Sequence, residues 1–111
     1  MKIKPVILAV DDLPENIELL EAYLAGQGYE IVTAANGEEA LEKLSGNQID
    51  LILLDIIMPG MDGFEVTRRV RSDDKNRLLP IIIVTAPRER EARVKGIEAG
   101  VMIFFQNLLI K

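Results

Sequence analysis

Residues 51–63 read Leu-Ile-Leu-Leu-Asp-Ile-Ile-Met-Pro-Gly-Met-Asp-Gly and join an apolar run to a sharply broken loop. The run from Leu51 to Leu54 is too short to cross a membrane and is typical of a buried strand. Asp55 follows it directly, and the Pro and Gly residues beyond indicate a turn. Open α/β sheets carry their chemistry at strand ends of this kind. Asp55 is therefore either a functional carboxylate or a residue that only caps the loop.

The composition limits the kind of protein. The sequence has 111 residues, of which 49% are hydrophobic and 28% charged, as is ordinary for one soluble globular domain. Cys and His are absent, so disulfides, thiolate metal sites and histidine bases are excluded, and any metal must be a hard cation held by oxygen. The net charge of -5 argues against a nucleic-acid surface. No segment has the pattern of a membrane span or a signal peptide, so we expect a cytoplasmic protein.

Apolar runs alternate with helical patterns along the chain. Strands are predicted at 5–10, 29–33, 51–55, 80–85 and 101–105, and helices at 13–25, 38–44, 63–71 and 88–99. Val94 and Ile97 of the fourth helix are expected to face inward, and 72–77 is expected to be a polar loop. Continuous apolar strands that alternate with helices predict an α/β fold with a doubly wound parallel sheet, covered on both faces.

Acidic and hydroxyl side chains follow three of the predicted strands. Asp11 and Asp12 follow the first strand, Asp55 stands at the end of the third, and Thr85 at the end of the fourth. Because parallel strands end at one edge of the sheet, we expect these residues to meet there. Independent helix capping does not explain why all three carboxylates follow buried strands, whereas a Mg2+ site does. Asp55 is then a candidate nucleophile toward phosphorus, and Thr85 a candidate donor to phosphoryl oxygens.

Four separated motifs resemble the receiver domain of a two-component response regulator. They are Ile7-Leu-Ala-Val-Asp-Asp12, Leu53-Leu-Asp-Ile-Ile-Met-Pro-Gly-Met-Asp-Gly63, Val84-Thr-Ala86 and Gly96-Ile-Glu-Ala-Gly100, in the family's order. The resemblance covers about residues 5–100 of one domain spanning 1–111. It implies a flavodoxin-like, five-stranded sheet of order 2-1-3-4-5. It also implies a switch that accepts phosphate from a sensor histidine kinase or a phosphotransfer protein, and not a multiple-turnover enzyme.

The same resemblance implies roles for individual residues. Asp55 would be the phosphoacceptor and Thr85 the switch hydroxyl. Mg2+ would be held by Asp12, Asp55 and the backbone carbonyl of Ile57, with Asp11 reaching it through water. Two other functions stay open. A Mg2+-dependent phosphatase would normally place an acid/base Asp two residues after its nucleophile, where this chain has Ile57. A signalling-defective interaction module is favoured by the tail.

Residues 101–111 depart from the family pattern. Family members usually continue Ala-Asp-Asp-Phe-Leu-x-Lys-Pro and then form a last helix, whereas this chain reads Val-Met-Ile-Phe-Phe-Gln-Asn-Leu-Leu-Ile-Lys. Phe104 still falls at the switch aromatic, but Asn107 falls at the position of the Lys. We therefore expect phosphorylation to survive and its coupling to the switch to be weakened.

The tail also suggests a genetic origin. Codons can be chosen for residues 101–111 such that one base, inserted after the first base of codon 101, shifts the reading frame of the whole tail. The shifted frame encodes Ala-Asp-Asp-Phe-Phe-Pro-Lys-Pro-Ile-Asp-Lys, the family's usual ending. Our hypothesis is that 101–111 is frameshifted and that the last helix is missing; the alternative is a divergent natural receiver. A sheet face without that helix would expose apolar surface, so we expect a homodimer, domain exchange or marginal solubility.

Overall fold

Strands and helices alternate through the chain. The computed structural model describes residues 4–56, 58–84, 90–100 and 103–104. The elements are β1 (Val6–Val10), α1 (Pro14–Leu24), β2 (Glu30–Ala34), α2 (Gly37–Gly46), β3 (Leu51–Leu54), α3 (Gly63–Arg71), a 3-10 turn (Asp74–Asn76), β4 (Ile81–Ile83), α4 (Arg90–Ala99) and β5 (Ile103–Phe104). The predicted order of elements is confirmed.

All five strands form one parallel sheet in the order β2-β1-β3-β4-β5, as predicted. β1 is an internal strand that pairs with β2 on one side and with β3 on the other. Val10, the last residue of β1, is in register with Ala34 of β2 and Leu54 of β3. The residues that follow these strands therefore emerge side by side at one edge of the sheet.

The core is divided between the two faces of the sheet. The larger cluster lies under α2 and α3, and its centre is formed by Leu8, Val10, Ile52, Leu54, Val66, Val70, Ile81 and Ile83. The smaller cluster lies under α1 and contains Ile7, Ala9, Leu20, Leu53 and Val84. Successive residues of β1 and β3 point to opposite faces, so both strands are apolar throughout. This double cover explains why these strands read as continuous apolar runs.

Side-chain caps fix the starts of α2 and α3. The side-chain oxygen Oδ1 of Asn36 accepts the backbone N–H of Glu39 at 2.8 Å, and the Asp62 carboxylate accepts that of Glu65 at 2.9 Å. The first amides of a helix have no partner within the helix, so such acceptors stabilise its start. Asp62 thereby fixes the point at which the loop after Asp55 becomes α3.

Two expectations about surface segments are wrong. Residues 72–77 are not all loop, because the Asp73 carboxylate accepts the N–H of Lys75 at 3.1 Å at the start of the 3-10 turn. Val94 and Ile97 do not face inward: they are 44% and 66% exposed. The inward positions described for α4 are instead Gly96 and Ala99. Small residues let α4 approach α3 closely. A search for large apolar side chains overlooks such positions.

Candidate functional site

The predicted meeting of acidic residues occurs at the carboxyl edge of the sheet. Asp11 and Asp12 follow β1, and Asp55 follows β3. Backbone hydrogen bonds hold these strand ends together, because Asp55 N–H donates to Val10 O at 3.0 Å and Asp11 N–H donates to Ala34 O at 3.1 Å. Each of the three carboxylates presents an oxygen that lies within 4.8 Å of the other two. The sheet register thus places the three charges in one small volume.

Asp11 is the most buried member of this cluster, with 2% of its surface exposed. Its Oδ1 accepts the N–H of Leu13 at 3.0 Å, and its Oδ2 accepts Nδ2–H of Asn16 at 3.1 Å. Burial raises the pKa of Asp11 above the ordinary value of 3.8, and the negative charge of Asp12 raises it further. The hydrogen bonds from Leu13 and Asn16 act in the opposite direction. A carboxylate held in this way is stabilised by a nearby cation.

Asp55 is 9% exposed and lies at the start of a loop with two fixed ends. The N–H of Gly63 donates to the carbonyl oxygen of Ile56 at 2.9 Å, which closes the loop on itself. A Cβ at Gly63 would lie 2.5 Å from the carbonyl oxygen of Asp55 and 2.9 Å from Cα of Ile56. Only glycine permits this approach, so the start of α3 is packed directly against the backbone that carries Asp55.

The residues present fit a small divalent cation. The cluster offers carboxylate oxygens, which are the ligands that hard cations such as Mg2+ and Ca2+ prefer. Three carboxylates this close repel one another, and burial prevents water from screening Asp11 fully. A divalent cation would offset both effects. The geometry therefore supports a metal site built from Asp11, Asp12 and Asp55.

Comparison with known families agrees with this geometry. Residues 7–106 match the model of the response regulator receiver domain. The chain belongs to the response regulator receiver domain family. The matched range contains the three carboxylates and all five strands except the first residue of β1. The resemblance carried by the four motifs is confirmed over this range.

Relatives of this receiver domain occur in proteins of different organisation. It is 44% identical to the response regulator PleD of Caulobacter vibrioides over 98 residues, which are 88% of this chain and 22% of that protein. It is 43% identical to the sensor histidine kinase RcsC of Escherichia coli over 95 residues, which are 86% of this chain and 10% of that protein. The chain thus spans less than a quarter of the length of either relative.

Solved structures show the same fold. The chemotaxis protein CheY4 of Vibrio cholerae superposes with a TM-score of 0.90 at 32% identity, over 96% of this chain and 88% of that one. The flavodoxin-like receiver fold is confirmed by this similarity and by the strand order. No helix in the described part of the chain is long and apolar enough to cross a membrane.

Several predicted site residues of the receiver domain lie outside the described residues. These are Ile57, Thr85 and Asn107. Phe104 is described through its backbone, which pairs with Ile83 of β4, and its side chain lies outside the description. Their proposed roles stay predictions.

The sequence reasoning missed two residues that support the site. The pattern around Asn16 predicts only an ordinary helix start, although its spacing of five residues from Asp11 is the one signal of a contact. The sequence indicates only a turn at Gly63, and the tight contact of this residue with the Asp55 backbone has no signature in the sequence pattern. Both residues act through three-dimensional proximity.

Proposed function

We propose that Asp55 accepts a phosphoryl group from a phosphohistidine of a sensor histidine kinase or a phosphotransfer protein in the cytoplasm. The observation that carries this proposal is the meeting of Asp11, Asp12 and Asp55 at the ends of the adjacent strands β1 and β3. The similarity to the sensor histidine kinase RcsC supports the class of partner. The receiver domain would act as a switch and not as a multiple-turnover enzyme.

The proposed step is a direct transfer to the carboxylate. An oxygen of Asp55 attacks phosphorus, the P–N bond of the phosphohistidine breaks, and its electron pair returns to the imidazole nitrogen. The product on this chain is an acyl phosphate at Asp55. Asp12, Asp55 and the carbonyl of Ile57 would hold Mg2+, with Asp11 acting through water. A bound Mg2+ would neutralise charge on the carboxylates and on the transferring oxygens.

Thr85 and Phe104 are proposed to respond to phosphorylation of Asp55. Thr85 is proposed to donate its hydroxyl to the phosphoryl oxygens, and Phe104 to act as the switch aromatic. Support for this role of Thr85 is that the preceding residue, Val84, donates its N–H to Leu54 O at 3.1 Å, beside the start of the Asp55 loop. Phosphate would then shift the equilibrium of α4 and β5 between two conformations.

Asn107, at the family's Lys position, is expected to weaken the response of the switch to phosphate. An ammonium group provides a cationic donor for an acyl phosphate, whereas an amide is neutral. We therefore expect Mg2+ binding and phosphorylation to survive and the conformational response to be weak. Restoring the charge with Asn107→Lys should enlarge the NMR shifts that fluoroberyllate induces. Equal shifts in the parent and the variant would contradict this expectation.

A phosphatase built on the same nucleophile is the second candidate. Its supporting observation is the same carboxylate cluster, and the absence of an acid/base Asp at Ile57 counts against it. Incubation with acetyl phosphate and Mg2+, followed by intact-mass measurement and a phosphate assay, separates the functions. A lasting adduct supports the switch, rapid release of phosphate without an adduct supports the phosphatase, and no reaction supports an inert interaction module.

The face of the sheet that α1 covers only in part is proposed to contact a second copy of the chain. A mostly apolar hollow of about 390 Å³ lies there, lined by Pro5, Ile7, Leu24, Tyr29, Asp50, Leu51, Leu53, Pro80 and Ile82. Such surface tends to be buried by association. Light scattering over a concentration series tests this: a dimer or larger species is expected, and a monomer at high concentration would contradict it.

We also propose that residues 101–111 arise from a frameshift. Arg71 supports it, because its Nε–H donates to Gly100 O at 3.0 Å while its Nη2 is buried without an acceptor in the described part of the chain. Burial lowers the pKa of Arg71 because it penalises the charged guanidinium, and a neighbouring anion would stabilise that charge. The restored reading frame would supply aspartates at positions 102 and 103, two and three residues after Gly100.

Two experiments test this origin. Sequencing the gene beyond codon 100 is the direct one, and an in-frame gene that encodes this tail as written would contradict the frameshift. The other is a double-mutant cycle, which measures the stability gained from an ion pair with Arg71. Met102→Asp should stabilise the parent by about 1 kcal/mol or more and the Arg71→Met variant much less, since the gain comes from the ion pair. Equal effects in both backgrounds would remove the support given by Arg71.

A further inference from the structure

The carboxylate of Asp11 is held by the first turn of α1. Leu13 is the N-cap of this helix, and its own side chain makes no capping hydrogen bond. The N–H of Leu13 donates to Asp11 Oδ1, and Nδ2–H of Asn16, three residues into the helix, reaches back to Asp11 Oδ2 at 3.1 Å. The backbone of Asp11 is fixed separately, by its bond to Ala34 of β2. The sheet thus sets the position of Asp11, and α1 sets the rotation of its carboxylate.

The chemistry of an amide suits this contact. Asn donates a hydrogen bond without adding charge, so it satisfies Asp11 and leaves the negative charge of the cluster available to a cation. A Lys or Arg at this position would compete with a cation for the carboxylates, and an Asp or Glu would donate nothing and add repulsion. Asn16 is partly buried, so water replaces its hydrogen bond less effectively than at an exposed site.

We propose that Asn16 is a positioning residue for the divalent-cation site, acting through the carboxylate of Asp11. Its amide holds Asp11 in the orientation in which an Asp11 oxygen lies within 4.8 Å of oxygens of Asp12 and Asp55. The inference rests on the proposed function, since it assigns a role toward the cation of that site. Residues that orient metal ligands typically change metal affinity by about 10- to 100-fold when they are mutated.

Mg2+ titration followed by NMR tests this role in the full chain. The reporter is the backbone amide of Asp12, and the probe is MgCl2 alone. Asn16→Leu keeps a similar side-chain size and removes the donor, and it should raise the dissociation constant for Mg2+ by about tenfold. Glu15→Gln is the matched control, because Glu15 is an exposed neighbour in the same helical turn. It should leave the dissociation constant within about twofold of the parent, since an exposed charge is screened by solvent.

A purely structural role predicts a different pattern. In that case Asn16→Leu would lower the Tm of the metal-free protein in EDTA and leave the Mg2+ affinity of the folded fraction unchanged. Asn16→Ser serves as a second variant should the leucine variant fail to fold, because its hydroxyl is too short to reach Asp11 and Ser is well tolerated near a helix start. A positioning role predicts weaker Mg2+ binding for this variant as well.

The outcomes separate this inference from the proposed function. Weaker binding in the Asn16 variants, with Glu15→Gln like the parent, supports the positioning role. Parent-like binding in a folded Asn16 variant overturns this inference and leaves the proposed function intact. A parent that binds no Mg2+ overturns both.

Discussion

Gly63→Ala is the substitution for which the structure gives the sharpest expectation. The added Cβ would lie 2.5 Å from the carbonyl oxygen of Asp55 and 2.9 Å from Cα of Ile56. Ordinary carbon–oxygen contacts begin at about 3.3 Å, so the two atoms would overlap by about 0.8 Å. Both opposing atoms belong to the backbone, so no side-chain rotation relieves the clash. The loop that carries Asp55 must move away from α3.

The expected cost can be estimated from opposing effects. Forced overpacking costs about 1–3 kcal/mol, while replacing Gly by Ala in a helix gains at most about 1 kcal/mol. We expect Gly63→Ala to lower the free energy of unfolding by about 1–2 kcal/mol, since the clash is with backbone. Displacement of Asp55 should also slow phosphorylation by acetyl phosphate, by up to about 100-fold for a shift of 1 Å.

Gly46→Ala is the matched control. Gly46 is the last residue of α2, and a Cβ there meets no atom within 4 Å. It should therefore raise the free energy of unfolding by roughly 0.5 kcal/mol and leave phosphorylation unchanged. Urea unfolding followed by circular dichroism measures the stabilities, and intact-mass time courses measure phosphorylation. A Gly63→Ala variant as stable and as rapidly phosphorylated as the parent would refute the packing argument.

Substitutions at three further positions test the residues that stabilise the fold and the site. Asp62→Ala removes the cap of α3 and should cost about 1 kcal/mol in urea unfolding, whereas Asp62→Asn should retain most of it. Asp50→Ala removes the carboxylate that accepts the N–H of Val6 at 2.7 Å, and it should cost about 1–3 kcal/mol and speed hydrogen exchange at that amide. Burial raises the pKa of Asp11 above 3.8, so the folded state favours the protonated carboxyl. The stability that this protonation provides is complete below pH 3.8 and is lost as the pH rises through the raised pKa of the folded state. Asp11→Asn loses one of the two hydrogen bonds that Asp11 accepts, at any pH. In EDTA, its Tm should therefore rise relative to that of the parent as the pH increases from 4 to 7; a difference independent of pH would contradict the assignment.

Much of the fold was predictable because the strongest signals lie in the chain itself. The apolar runs of β1 and β3 indicate strands buried on both faces, and the parallel arrangement follows from their alternation with helices. The meeting of Asp11, Asp12 and Asp55 then follows from topology, since all three come directly after such strands. No contact needed to be known in advance for this part of the site.

The rest depended on packing that a sequence pattern does not encode. In α4, Val94 and Ile97 carry the large apolar side chains, yet Gly96 and Ala99 are buried because close helix approach selects for small size. The hydrogen bond from Asn16 depends on how the first turn of α1 is placed against the end of β1. To predict these features, one must know how two elements are placed relative to each other.

The central claim is that Asp55 becomes an acyl phosphate, and chemical trapping tests it most directly. After incubation with acetyl phosphate and Mg2+, borohydride reduces an aspartyl phosphate to homoserine, which peptide mass spectrometry can locate. We predict homoserine at position 55, dependent on Mg2+ and absent from the Asp55→Asn variant. Homoserine at another aspartate with residue 55 unchanged, or an adduct that persists in Asp55→Asn, would contradict the account.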